Sequence, residues 1–243
     1  MPGLVATPRL RRRRLSRLRR DYLTYRALWP ALASAVGAAL AGRGAADGTG
    51  QRVLDLGCGE RPYADLFGAA WCIGLDRSLD GARPDILADA SCLPLAGGWA
   101  DLVFCSQVLE HVPDPAALLA ECTRVLRPGG ELVLSAPFWW PLHEEPHDYL
   151  RFTRHGLAAL VQASGLQLLA IEPDCGAMTA ALVALIEALP RWARGLVPLL
   201  NLVAPLLQAL SPDRRATLNW VLRAARPAAC PATGSGAEDG DGR

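Results

Sequence analysis

Arg52-Val53-Leu54-Asp55-Leu56-Gly57-Cys58-Gly59-Glu60 is the stretch on which the reading of this chain turns. A short apolar run with one embedded acid breaks into glycines, the pattern of a buried parallel strand that ends at a ligand. Gly57 and Gly59 supply the dihedrals of a tight turn and let backbone amides approach a ligand closely. An acid at Asp55 disfavours phosphate and suits a ligand carrying an amine or another positive charge.

Downstream the pattern repeats. Trp71-Cys72-Ile73-Gly74-Leu75-Asp76 reads as a second buried strand ending in an acid, and an acid at that place in a doubly wound sheet can accept hydrogen bonds from both ribose hydroxyls of an adenosine. Dinucleotide dehydrogenases share this spacing but want Gly-x-Gly-x-x-Gly, and Pro62 stands where the third glycine belongs. Residues 85–90 read as a third strand. The eight residues before it, Arg77 to Pro84, are fewer than a parallel crossover with a helix needs, so an irregular crossover is expected. Ala100 to Ser106 is the fourth strand. Asp114 caps a helix that has Pro115 at its first position, and Leu118, Leu119, Cys122, Val125 and Leu126 form its core-facing stripe. Pro128-Gly129-Gly130 is expected to stop that helix before a fifth strand, Glu131 to Ser135. Thr153 caps a helix over 154–163, Gly165 ends it, and Leu166 to Glu172 is strand six.

Together these motifs resemble the class I S-adenosylmethionine-dependent methyltransferases, most closely the ubiquinone-biosynthesis-type, type 11 branch. The residues that carry the likeness are Val53 to Gly59, Gly74-Leu75-Asp76, Asp89 to Pro94, Asp101 to Val112 and Arg124 to Gly130, in that family's order and spacing. The departure is Glu60-Arg61-Pro62, where many relatives have a further glycine. The resemblance implies an α/β fold: a doubly wound, mostly parallel seven-stranded sheet with Thr217 to Ala225 as an antiparallel last strand between strands five and six. It implies S-adenosyl-L-methionine as cofactor. Asp55, Gly57, Cys58 and Gly59 would meet the amino-acid end, and Asp76 the ribose. Arg77, Asp89 and Ala90 would lie at the adenine, and Ser106 and Gln107 would border the sulfonium. Glu110 and His111 are read as structural, at the strand-to-helix turn.

His143-Glu144-Glu145-Pro146-His147 matches the His-Glu-x-x-His zinc pattern in letters. That chemistry needs both histidines on one face of a continuous helix, which Pro146 forbids, and no metal is expected. A lid over the pocket fits better, with Phe138, Trp139, Trp140, His143, His147, Asp148, Tyr149 and Arg151 at the end of strand five. His147 and His143 are the candidate general bases, with Asp148 as an orienting partner.

The rest of the chain divides into a basic arm, helix and linker (1–49), the domain proper (50–226) with an apolar helical insertion at 176–212, and a Gly-, Ala- and acid-rich tail (227–243). All 25 basic residues are arginine, against 24 acids. Tyr22 to Leu40 favours helix, kinked at Pro30. Gly195 to Leu210 carries no charge but falls short of the roughly 20 residues that span a bilayer. Segments 11–40 and 177–210 are candidates for peripheral membrane contact, and packing on the domain or a homodimer are the other readings. Seven cysteines without a Cys-x-x-Cys pair suit a reducing compartment. No small-residue cleavage site follows an apolar core, so a cytoplasmic location is expected, peripheral at the inner face of the membrane if the helices touch lipid. The expected function is methylation of a small-molecule or lipid- or glycan-linked acceptor. The alternative is a catalytically silent cofactor-binding scaffold in a membrane complex. Nucleic acid is not expected as a partner, because Ser106-Gln107-Val108-Leu109 stands where an Asn/Asp-Pro-Pro-aromatic loop would be.

Overall fold

The computed structural model describes residues 16–41, 50–211 and 213–228. Arg11 to Arg14, most of the Gly-rich linker, Cys230 and nearly all of the tail lie outside the described residues.

Seven strands form one sheet in the order β3-β2-β1-β4-β5-β7-β6. They are β1 (Arg52–Leu56), β2 (Trp71–Asp76), β3 (Ile86–Leu87), β4 (Ala100–Ser106), β5 (Leu126–Pro137), β6 (Gln167–Pro173) and β7 (Asn219–Ala225). The first five run parallel, and β7 is antiparallel to both neighbours. Strand order reverses between β1 and β4, which opens a crevice at their carboxyl ends.

The helices are α1 (Tyr22–Leu40), α2 (Pro115–Val125), α3 (Arg154–Ala163), α4 (Ala177–Ala188) and α5 (Val197–Leu210). The period-two alternation of the strands sends Leu54, Leu56, Val103, Cys105, Leu132 and Leu134 to the face covered by α2 and α3. Val53, Leu102, Phe104 and Val133 face α1, which inserts Leu28, Leu32 and Val36. A third cluster joins Tyr22 and Leu23 of α1 to Leu182, Val183 and Ile186 of α4 and to Val197 and Ala204 of α5. The apolar helices thus lie between β6 and β7 in the chain and pack on α1 by one face each.

Both predicted N-caps form: Asp114 accepts from the amides of Ala116 and Ala117, and Thr153 from that of Gly156. Besides shifts of one or two residues at the ends of β6 and β7, three boundaries differ from expectation. The third strand pairs over two residues, because beyond Leu87 the Asp89 carboxylate turns the chain by accepting from Ser91 N at 2.7 Å. The second helix stops at Val125, and β5 begins at once with Leu126 paired to Ala100. The strand runs through Pro128-Gly129-Gly130, where a Cβ on Gly130 would stand only 3.1 Å from the Ala100 and Asp101 carbonyl oxygens, so glycine suits this close pairing. Finally, Arg191–Leu196 is a 3-10 turn continuous with α5, so Arg191–Leu210 is a 20-residue segment long and apolar enough to cross a membrane by length and composition.

Candidate active site

The crevice is floored by the loop that follows β1. Gly57 N and Cys58 N both donate to Leu75 O of β2, at 2.8 and 3.0 Å. Gly57 (φ 68°) and Gly59 (φ 48°) occupy the left-handed region, which disfavours side chains. A Cβ on Gly57 would overlap Cγ2 of Val108, whose residue follows β4, so backbone and side chain close on each other across the switch point.

Asp76, at the tip of β2, holds this loop from the other side. One carboxylate oxygen accepts from Gly59 N at 3.0 Å and the other from Ser78 N at 3.1 Å. Each oxygen keeps a lone pair for a hydroxyl donor. Arg77 is exposed beside it, Asp89 is exposed with one oxygen committed to Ser91 N, and Ala90 is half-buried. Ser106 Oγ lies 2.9 Å from Ser135 Oγ, and Gln107 (φ 59°) donates its side-chain amide to the same hydroxyl at 3.0 Å. The structure therefore gathers the predicted residues of strands one, two and four around one cleft, with Asp89 and Ala90 at its outer edge.

Asp55 is the electrostatic anomaly. It is 3% exposed, and its Oδ2 is buried without a hydrogen-bond partner. Burial pushes its carboxyl up to about 7, with Arg61 opposing and Asp76 reinforcing the shift. A buried carboxylate without a partner is costly unless a cation arrives. Arg61 provides only distant relief. Its guanidinium lies across Gly74, pairs with Asp85 and donates Nε to Arg83 O at 3.0 Å. Asp85 in turn accepts from Gly74 N at 2.8 Å, so this ion pair fastens the helix-free crossover to β2. Glycine inside a strand often marks such a close approach, the one sequence signal that could have found the contact. Cys58 is buried, and its thiol is pushed up to about 12 by burial, so it lines the loop as a small hydrophobe.

The opposite wall comes from the turn after β4 and the segment after β5. Glu110 sits in the 3-10 turn Leu109–His111 with both carboxylate oxygens buried and without a hydrogen-bond partner, His111 Nε2 lies 3.9 Å from Oε1, and burial raises its carboxyl to about 8. His111 Nδ1 lies 2.6 Å from His147 O. A carbonyl can only accept, so in the neutral ring Nδ1 carries the proton and Nε2 is the basic atom. The His111 and His143 rings meet edge to face at 4.8 Å. His143 Nδ1 lies 3.1 Å from Asp148 Oδ2, and Arg151 forks onto both Asp148 oxygens at 2.6 and 2.7 Å. That fork holds the Asp148 carboxyl well below the usual range.

The predicted pair of His143 and Asp148 is thus in contact. The His147 imidazole instead turns outward to Tyr149 OH at 3.0 Å and contributes its backbone carbonyl to the cluster. Residues 143–147 form no helix, so the zinc-protease arrangement is not built. Among the described residues, Glu110, His111 and His143 bring ligand-type atoms within 4.8 Å of one another. Sequence reasoning left Glu110 and His111 as structural because a strand-to-helix turn looks the same whether its side chains are paired or bare.

A sheet of order 3-2-1-4-5-7-6 with an adenosine-type acid on β2 and a cation-seeking acid on β1 defines a class I S-adenosylmethionine-dependent methyltransferase. Comparison with known proteins agrees: residues 54–134 match the family described as "Methyltransferase domain". The ubiquinone biosynthesis O-methyltransferases of Burkholderia thailandensis and Aromatoleum aromaticum are 31% and 32% identical to it, over 51% and 49% of this chain and 67% and 64% of theirs. An uncharacterized 37.1 kDa protein in transposon TN4556 of Streptomyces fradiae is 38% identical over 52% of this chain and 43% of its own length. The chain thus spans from under half to about two thirds of these relatives. Among solved structures, the S-adenosylmethionine-dependent methyltransferase of Mesorhizobium loti shares the fold at a TM-score of 0.52 and 24% identity, covering 84% of this chain and all of that one. The [4+2]-cyclase SpnF does so at 0.54 and 20%, covering 82% and 81%. The chain belongs to the class I S-adenosylmethionine-dependent methyltransferase family.

The cleft fits that cofactor on its own terms. A carboxylate buried with Oδ2 unpartnered would suit a ligand that carries two cationic groups, an α-ammonium and a sulfonium. The glycine cradle admits backbone contact that any side chain at Gly57 would obstruct.

Proposed function

We propose that this chain transfers a methyl group from S-adenosylmethionine to an oxygen of a small-molecule or lipid- or glycan-linked acceptor. The observation that carries the reading is the orphaned Asp55 carboxylate beside the Gly57–Gly59 cradle and the ribose-ready Asp76. The oxygen acceptor is supported by the names of the relatives and by the wall opposite. When bound, the cofactor supplies an electrophilic methyl and a good leaving group, so placement of the acceptor provides much of the rate. Glu110, buried and raised to about 8, takes the acceptor's proton as the new carbon–oxygen bond forms. His111 and His143 line the approach, and Trp139 and Tyr149, both partly exposed, offer the acceptor an apolar edge.

The test is calorimetric titration of S-adenosylmethionine and S-adenosylhomocysteine into wild type and Asp76→Ala, followed by mass-spectrometric detection of methylated product over an acceptor panel. Wild type binds both at micromolar level. Asp76→Ala loses at least about tenfold, since it removes a charged acceptor from the ribose and the anchor of Gly59 N. Absence of binding to folded wild type would overturn the reading. Binding with no turnover on any acceptor would leave the scaffold alternative in its place.

A further inference from the structure

Helix α5 has two unlike faces. Val197, Asn201 and Ala204 are buried against the domain. Leu199, Leu202, Leu206 and Leu210 are 54–73% exposed and fall within about 80° of arc at 100° per residue. The preceding 3-10 turn extends this apolar face with Leu196 and with Trp192, which is 88% exposed.

The charges around that face have one sign once internal pairs are set aside. Between Ala177 and Arg215 the acids are Glu187 and Asp213. Glu187 is paired with Arg20 and Asp213 with Arg215. Arg191 and Arg194, in the turn that carries Trp192, are exposed and form no ion pair among the described residues. The structure also brings the basic N-terminal arm to this helix. Asn201, 1% exposed, donates its side-chain amide to Arg17 O at 2.7 Å and Arg19 O at 2.9 Å. Arg20 donates to Ile186 O and Glu187 O at the end of α4. The chain immediately before Ser16 carries Arg9 and Arg11 to Arg14. A leucine stripe with an exposed tryptophan, rimmed by unpaired arginines and poor in free acids, has the chemistry of a surface that lies in an interface of anionic headgroups.

We propose that the Trp192–Leu210 face of this protein docks peripherally on an anionic phospholipid bilayer, with the arginines at its rim contacting headgroups and its leucines entering the acyl boundary. The buried face of α5 stays on the domain, because leaving it would strand Asn201 and expose Val197 and Ala204. A second copy of the chain is the competing occupant. A symmetric contact would bring the same unpaired arginines of both copies together, which disfavours it.

The experiment is co-sedimentation of the full chain with vesicles of phosphatidylglycerol and phosphatidylcholine, against vesicles of phosphatidylcholine alone, with light scattering of the free protein. S-adenosylhomocysteine titration of each variant serves as the folding control, so failure here is separable from failure of the methyltransferase reading. Wild type should bind the anionic vesicles, and 0.5 M salt should weaken that binding. Leu202→Glu with Leu206→Glu, both at exposed sites, should reduce the partition coefficient at least tenfold. Arg191→Gln with Arg194→Gln should reduce it about thirtyfold at low salt, from roughly fivefold per basic residue. Failure of folded wild type to bind, or equal binding to both vesicle types, would overturn the proposal. So would a concentration-dependent dimer that Leu202→Glu dissolves while vesicle binding is absent.

Discussion

Replacing Asp55 with Asn should make the free protein more stable and the cofactor complex weaker, by amounts that depend on pH. In the unfolded chain the carboxyl ionises near 3.8, and in the fold at about 7. Below pH 3.8 both states keep the proton. Between 3.8 and 7 the unfolded chain loses it while the fold retains it, so wild-type stability falls by about 1.36 kcal/mol per pH unit from this group. Above 7 the loss levels off at roughly 4 kcal/mol. Asparagine has the same shape and no ionisation. The gain of Asp55→Asn over wild type should therefore grow by roughly 2.5–3 kcal/mol between pH 5 and pH 8. Urea unfolding of both proteins at the two pH values measures it, and other titrating groups cancel in the comparison. Parallel stability–pH curves would refute the reasoning, because they would mean that the Asp55 carboxyl titrates alike in both states.

The same group gives a binding signature. At pH 6.5 roughly three quarters of Asp55 is protonated in the free fold. The cofactor's α-ammonium, placed beside it, favours the carboxylate, so binding should release about 0.7 proton. Calorimetry in two buffers of different ionisation enthalpy counts that proton. S-adenosylhomocysteine, which keeps the ammonium, should release it too, and Asp55→Asn should release none while binding at least tenfold more weakly.

Two further outcomes follow from the same geometry. Gly57→Ala combines a left-handed φ with overlap on Val108 and should cost about 2–4 kcal/mol of stability; adding Val108→Ala should recover the overlap and leave the backbone strain of about 1–2 kcal/mol, as read by thermal unfolding. Glu110→Gln should leave cofactor affinity within about twofold while lowering turnover roughly 10²-fold or more; the wild-type rate should rise with pH through about 8, where Glu110 ionises, and a pH-independent rate would remove Glu110 from the proton transfer.

The parts of this molecule that sequence could reveal are those written in local spacing. The turn of Gly57 and Gly59, the acid twenty residues on and the caps Asp114 and Thr153 all follow from neighbours in the chain, whereas the antiparallel setting of β7 comes only from the family resemblance. The eight-residue crossover was legible as too short for a helix, but not what replaces the helix. Arg61 reaches Asp85 across 24 positions, and only the missing side chain at Gly74 hints at it. The segment after β5 showed its residue types, not their partners. His143 and His147 look equivalent in sequence, yet the Arg151 fork fixes Asp148 beside His143, while His147 faces Tyr149. The arm's attachment to Asn201 was similarly invisible, since nothing local marks a buried asparagine as the receptor for two carbonyls 182 and 184 residues away.

The strongest argument for where the chemistry lies is a contrast among the buried acids. Asp101 accepts from Arg52 N and pairs with Arg127. Glu131 is paired with Arg223. Asp174 accepts from Thr217 and twice from Asn219, which pins the end of β6 to the start of β7. These three carry the architecture, and the fold supplies partners for each of them. Asp55 and Glu110 are as deeply buried, yet Oδ2 of the first and both oxygens of the second accept no hydrogen bond, and the cation nearest Glu110 is His111 Nε2 at 3.9 Å, charged only when protonated. Desolvating a carboxyl without a partner destabilises a fold, and a chain able to satisfy three such groups elsewhere has the means to satisfy two more. The two bare acids sit at the carboxyl ends of β1 and β4, on either side of the strand-order reversal where open α/β sheets bind their ligands. Under the proposed function, the first would meet the cofactor's cationic groups and the second would take the acceptor's proton. Carboxyl oxygens free of hydrogen bonds are what such tasks would require.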